Sequence, residues 1–236
     1  MSTNENGEPQ ETPCADKADR TSMMEAVAFV GETLAPLFLQ DPATGDAGPA
    51  FAALTALDVD AAADAWPFVE RDEARADLSL TVQGLAPAQD GHPFDDPAGE
   101  LVREYRRLFV GPAALPAPPW GSVYTDRDCV TFGASTLELR VWMRLNGIVR
   151  TTDEHTPEDH IGLLLALLAY VARERPELTE EYLKMHVLTW ASHYLGQLEA
   201  AARHPFYRGL ARLTHASLEG MANTLGIKVV TPRFYR

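Results

Sequence analysis

Thr156-Pro157-Glu158-Asp159-His160-Ile161-Gly162-Leu163-Leu164-Leu165-Ala166-Leu167-Leu168-Ala169-Tyr170-Val171 decides the reading of this chain. Thr156 suits a helix cap, Pro157 suits the first helical position, and the two acids favour the positive end of a helix. Ile161, Leu163, Leu164, Leu165, Leu167, Leu168 and Val171 then make a segment that is apolar nearly all round. Such a segment reads as the central helix of a bundle. At residues 161–172 it is too short to span a bilayer, so no stable membrane insertion is expected.

Outward from this segment the chain stays helical. Ala, Leu, Glu and Arg dominate, and the one strand-like run, Lys228-Val229-Val230-Thr231, cannot build a sheet alone. The fold class is therefore all-α, a single helical bundle of about ten helices. Residues 1–20 are polar and read as a disordered tail. Thr21 or Ser22 caps a first helix, and Ala-rich helices follow to about residue 86. Residues 87–99, with three prolines and two glycines, read as a linker. The remainder, about 100–236, opens with a helix stopped by Gly111-Pro112. Ser135-Thr136-Leu137-Glu138 has capping-box spacing, and His204-Pro205 starts a last long helix.

Between Gly111-Pro112 and the central helix lies a loop that is unusually apolar: Leu115-Pro116-Ala117-Pro118-Pro119-Trp120-Gly121-Ser122-Val123-Tyr124. Loops are normally polar and exposed, so this one is packed down, walls a groove, or both. Proline and tryptophan together form a rigid apolar wall that suits peptide binding. Tyr105, Leu108 and Phe109 share one helix face, for which packing is the simpler account. For Asp159 and His160 two readings stay open. One is a core histidine bonded to a neighbour; the other is a polar groove floor whose carboxylate holds an incoming guanidinium.

The 236 residues carry 34 acids against 20 Lys and Arg, a net charge of -14. Such a field repels nucleic acid and favours a cationic partner. Two distant cysteines, no zinc-type spacing and no apolar leader are consistent with a cytoplasmic protein. There is no dinucleotide, P-loop, serine-hydrolase or zincin fingerprint, so neither a cofactor nor catalysis is expected. The acidic and histidine cluster Asp153, Glu154, His155, Glu158, Asp159 and His160 is the alternative, a metal-dependent hydrolase site, but a helix boundary splits its ligands.

Taken together, Tyr105-x-x-Leu108-Phe109-Val110-Gly111-Pro112, Pro118-Pro119-Trp120-Gly121-Ser122-Val123-Tyr124, Phe132-Gly133-x-Ser135-Thr136 and Pro157-Glu158-Asp159-His160 resemble the TorD/DmsD family of redox-enzyme maturation chaperones. Leu137-x-Leu139-Arg140-x-Trp142-Met143-Arg144, His204-Pro205-Phe206-Tyr207-Arg208 and Thr231-Pro232-Arg233-Phe234-Tyr235-Arg236 point to its DmsD branch. The likeness is good from about Glu100 onward. It departs at Thr189, where the family often has proline before tryptophan. The resemblance implies an all-helical chaperone for the twin-arginine signal peptide of a molybdopterin-containing reductase precursor, of the dimethyl sulfoxide reductase type. It also implies that the precursor is held until its cofactor is inserted, with the Tat translocase as a further partner. The family's contact residues carry over to Tyr105, Leu108, Phe109, Pro119, Trp120, Asp159 and His160; Pro118 and Glu158 are added from their position in the same motifs. On this reading the Trp120 loop, Leu108 and Phe109 shelter the peptide's apolar run.

Overall fold

The computed structural model describes residues 13–85, 97–151 and 156–236. Its centre is the helix Ile161–Glu174, called α8 in chain order. Ile161, Leu164, Leu165, Leu168 and Val171 are fully buried, Leu163 and Leu167 are half-buried, and Ala166 and Tyr170 reach solvent. Burying five large aliphatic side chains contributes on the order of 10 kcal/mol before chain entropy is set against it.

Helix α1 (Pro13–Leu39) lies along α8 and buries Val27, Val30, Leu34 and Phe38. The two backbones approach closely at Gly31, where a Cβ would stand 2.5 Å from the Leu165 carbonyl oxygen. α1 begins at Pro13 rather than at the expected Thr21 or Ser22 cap. No glycine or proline interrupts residues 14–22, so the helix propagates from a proline well suited to its first turn. Residues 1–12 and 86–96, which hold most of the expected tail and linker, lie outside the described residues, as do Asp153, Glu154 and His155. Within α1, Ala18–Leu39 is long and apolar enough to cross a membrane by length and composition, although half of that window is buried inside the bundle.

Helices α2 (Gly48–Thr55), α3 (Val59–Ala65) and α4 (Arg71–Gln83) form the N-terminal layer. They pack with α1 against the long helix α11 (Pro205–Thr224), where Trp66 Nε1 donates to Ser217 Oγ. α5 (Pro97–Tyr105) runs into a π-helical turn, Arg106–Val110, closed by a Gly111 N–H bond to the Arg106 carbonyl. α6 (Gly121–Thr125) and α7 (Ala134–Leu145) precede α8. After it come α9 (Thr179–Tyr182), a second π-helical turn Leu183–Val187, and α10 (Ala191–Ala201). Eleven α-helices and no strand are present among the described residues, an all-α fold as the composition implies.

Candidate peptide-binding site

The apolar loop is anchored from both ends. Its last turn, α6, presses on α10: Gly121 lies so close to the Trp190 indole that a Cβ there would come within 2.7 Å of Nε1. Tyr124 is fully buried and stacks on Trp190 at 5.9 Å. On the other side the loop pairs with the entry to α8. Ile161 N–H donates to the Pro119 carbonyl at 2.8 Å, and Gly121 N–H to the Asp159 carbonyl at 3.1 Å, so Trp120 and His160 form an isolated antiparallel bridge. Ala117, Pro118 and Pro119 are buried by this arrangement, while Trp120 is half-buried with its ring edge-on to His160 at 5.7 Å.

That bridge corrects the expected start of α8. His160 is held extended against the loop, so the helix begins at Ile161 and not at Pro157. His160 is itself the cap: its Nδ1 accepts from Gly162 N–H at 3.1 Å. Burial lowers its pKa from 6.5 to about 3, so the ring stays neutral at ordinary pH.

The unfolded chain takes up this proton first, so His160 makes stability fall as pH drops below about 6.5 towards 3. Between pH 7 and 5 this one group removes about 2 kcal/mol. His160→Asn keeps a cap acceptor. Denaturant titrations at both pH values are expected to show a smaller acid loss in that variant, with the shares of His186 and His204, whose pKa values burial also lowers, remaining. An equal acid loss in both proteins would contradict the assignment.

Asp159 is 2% exposed. Its Oδ2 accepts from Ser122 N–H at 2.7 Å and from the Ser135 hydroxyl at 3.2 Å, while Oδ1 is buried without a partner. No cation pairs with it among the described residues. Around it, Trp120 Nε1, Ser122 Oγ and Thr136 Oγ1 are also buried and unpartnered. Asp159 is thus a buried carboxylate held by one amide and one hydroxyl, with acceptor capacity left on Oδ1. Ser122, Ser135 and Thr136 are members that sequence reasoning missed. Ser135 read as a cap, but the N-terminal amide of α7 is taken instead by Asp126, whose Oδ2 accepts from Ala134 N–H at 2.9 Å. The serine is thereby released to Asp159.

Glu158 is paired within the chain. Arg140 Nε donates to it at 2.8 Å, and Arg150 NH1 lies 3.9 Å away, so its charge is already matched. Arg150 is also tied to the Thr156 carbonyl.

Tyr105, Leu108 and Phe109 form a separate layer. Leu108 is fully buried, and Tyr105 and Phe109 are 7% exposed. Phe109 packs against Phe38, Tyr105 and Tyr207 with ring centroids 6.2, 5.2 and 5.5 Å away. The Tyr105 hydroxyl donates to the Leu39 carbonyl at 3.0 Å, and burial pushes its pKa up to about 12. Leu39 also covers Gly162, so the end of α1 stands between this aromatic layer and the His160 cap. These three residues pack into the core. They present no open apolar wall.

The hydrolase alternative finds no support. Of its six residues the three described are committed as an ion pair, a floor carboxylate and a helix cap. No group of three or more potential metal ligands occurs among the described residues.

A family model described as nitrate reductase delta subunit matches residues 72–202, more than half the chain and all of the site. The Tat proofreading chaperone DmsD of Salmonella typhimurium is 37% identical over 211 residues, 89% of this chain and 95% of that protein. The probable Tat proofreading chaperone DmsD of Haemophilus influenzae is 48% identical over 136 residues, 58% of this chain and 67% of that one. The chaperone protein TorD of Shewanella pealeana is 23% identical over 161 residues, 65% and 71% of the two chains. With the family model and the Salmonella relative spanning the loop, Asp159 and the central helix, the chain belongs to the TorD/DmsD family of redox-enzyme maturation chaperones, on its DmsD branch.

Proposed function

We propose that this protein is a cytoplasmic chaperone that binds the twin-arginine signal peptide of a molybdoenzyme precursor, of the dimethyl sulfoxide reductase type. It holds the precursor until the cofactor is in place and then releases it towards the Tat translocase. The observation that carries this reading is Asp159, a buried carboxylate that pairs with no cation among the described residues.

A client guanidinium supplies the missing partner. Arginine is planar, weakly hydrated and rich in donors, so it enters such a site at lower cost than the compact, strongly hydrated lysine ammonium. Asp159 is covered in the free protein, so admission of arginine requires the Trp120 edge of the loop to shift. The net charge of -14 speeds encounter with a basic peptide. Trp120, Pro118 and Pro119 shape the rim, and His160, neutral and buried, adds no competing charge. Holding a peptide makes and breaks no covalent bond, so the protein acts without catalysis.

Calorimetric titration with a synthetic twin-arginine peptide, with its Lys-Lys variant alongside, tests the reading at two salt concentrations. Saturable binding that weakens with salt and with Lys-Lys is expected. No saturable binding to peptides from several reductase precursors would overturn it.

A further inference from the structure

The peptide's arginines are followed by an apolar run of roughly 7 to 15 residues, and that run needs a surface of its own. Leu108 and Phe109 do not offer one, because both are spent in the core. Elsewhere the chain exposes apolar side chains in an uneven way. Among the described residues twelve large hydrophobic side chains are exposed, and six of them fall between residues 130 and 149: Val130, Phe132, Leu137, Val141, Leu145 and Val149. Single exposed apolar residues call for no explanation, but a continuous row does.

Leu137, Val141 and Leu145 are spaced four apart on α7, so they form one stripe about 12 Å long. The opposite face of the same helix buries Leu139, Trp142 and Met143. α7 is therefore apolar on the side that solvent reaches as well as on the side that holds the core. At its start, Phe132 stands 48% exposed with φ +63°, next to Cys129 at φ +49°. A bulky residue held in the left-handed region and turned outward is a feature the local backbone does not favour, and such features concentrate at binding sites.

The start of α7 joins the two regions. The Arg140 guanidinium lies over the Phe132 ring at 5.4 Å and donates to Glu158, and the Ser135 hydroxyl, two residues before Leu137, donates to Asp159. Charge gives it a direction. Asp159, Asp126 and Asp128 lie at the N-terminal end of α7, and Arg144 lies at its far end.

We propose that the α7 stripe of Leu137, Val141 and Leu145, opened by Phe132, receives the apolar segment that follows the two arginines of the client peptide; this rests on the reading of Asp159 given above. The peptide lies along α7 with its arginines at the acidic end and its apolar run over the leucines. Arg144 disfavours the reversed orientation by repelling the arginines. An amphipathic or apolar helix laid along such a row is a common form of peptide recognition.

Two fluorescent peptides separate this inference from the reading beneath it: a full twin-arginine signal peptide, and a short form cut after the arginine motif. Each is titrated against the unaltered protein, the combined variant Leu137→Gln, Val141→Gln, Leu145→Gln, and the control Met185→Gln, whose side chain is exposed on another element. The combined variant is expected to bind the full peptide at least about tenfold more weakly, from the apolar area no longer covered, and the short form unchanged. The control is expected to match the unaltered protein with both peptides. Full-peptide affinity equal to that of the unaltered protein, or equal weakening of both peptides, would overturn the α7 assignment and leave the chaperone reading standing. Failure of the unaltered protein to bind either peptide would overturn both. A dimer that the combined variant dissolves in sedimentation, with peptide affinity unchanged, would make the stripe a contact between copies and likewise overturn the inference. Should the combined variant lose its helical circular dichroism, Leu145→Gln alone, at the most exposed stripe position, gives the same discrimination at smaller amplitude.

Discussion

Asp159→Asn weakens binding of a twin-arginine peptide by about tenfold or more, since a hydrogen bond to a charged group contributes about 1.5 to 3 kcal/mol. The asparagine oxygen still accepts from Ser122 N–H and the Ser135 hydroxyl, so the loop stays tied to α7 and the unfolding temperature moves little. The charge and the acceptor at Oδ1 disappear, and with them the preference for Arg-Arg over Lys-Lys. Calorimetry with both peptides on a variant of unchanged melting temperature checks this. Retention of full affinity and full arginine preference would remove Asp159 from the site while leaving the function open to another carboxylate.

The second large effect is structural. Glu104 on α5 is 6% exposed and accepts from Arg107 Nε at 2.7 Å, Arg107 NH2 at 2.8 Å, Arg203 N–H at 2.6 Å and His204 N–H at 3.3 Å. It clamps the corner between α10 and α11, and Arg107 completes the clamp on the Ala201 carbonyl. Glu104→Ala leaves two backbone amides and part of a guanidinium without acceptors, at a cost of about 3 kcal/mol or more. Denaturant unfolding measures it, and a loss within about 0.5 kcal/mol, as for an ordinary surface change, would refute the clamp. Burial raises the Glu104 pKa, but Arg107 and the two amides outweigh it, and the net value is lowered. The clamp is therefore complete above the usual glutamate range and is lost as pH falls through the lowered folded value. Glu104→Gln should flatten that acid limb of stability.

The sequence was most readable where the chain is periodic. The apolar run after His160 specified a central helix, and His204-Pro205 specified the start of α11, whose first amide His204 does cap. Even Thr189, where the family often has proline, leaves the break in place, because the π-helical turn ends at Val187 and α10 starts only after Trp190. Motif spacing failed where long-range contacts outbid local ones. Ser135 and Thr156 each had good capping chemistry, yet Asp126 took the α7 amide and the Trp120–His160 bridge held His160 out of the helix. No local pattern distinguishes Asp159 from Glu158. They are told apart only by Arg140 and Arg150, which arrive from elsewhere in the chain and pair with one of them. The same holds for Tyr105, Leu108 and Phe109, whose face could have lined a groove or a core and lines the core.

The unequal burial of the four tryptophans has an optical consequence. Trp66, Trp142 and Trp190 are at most 8% exposed, whereas Trp120 is half-open at the rim of the loop. A neutral collisional quencher such as acrylamide reaches Trp120 and leaves the other three emitting. The quenchable share of the intrinsic fluorescence thus reports on Trp120, and the shift of its loop that the proposed admission of arginine requires is open to timing in solution without attaching a dye.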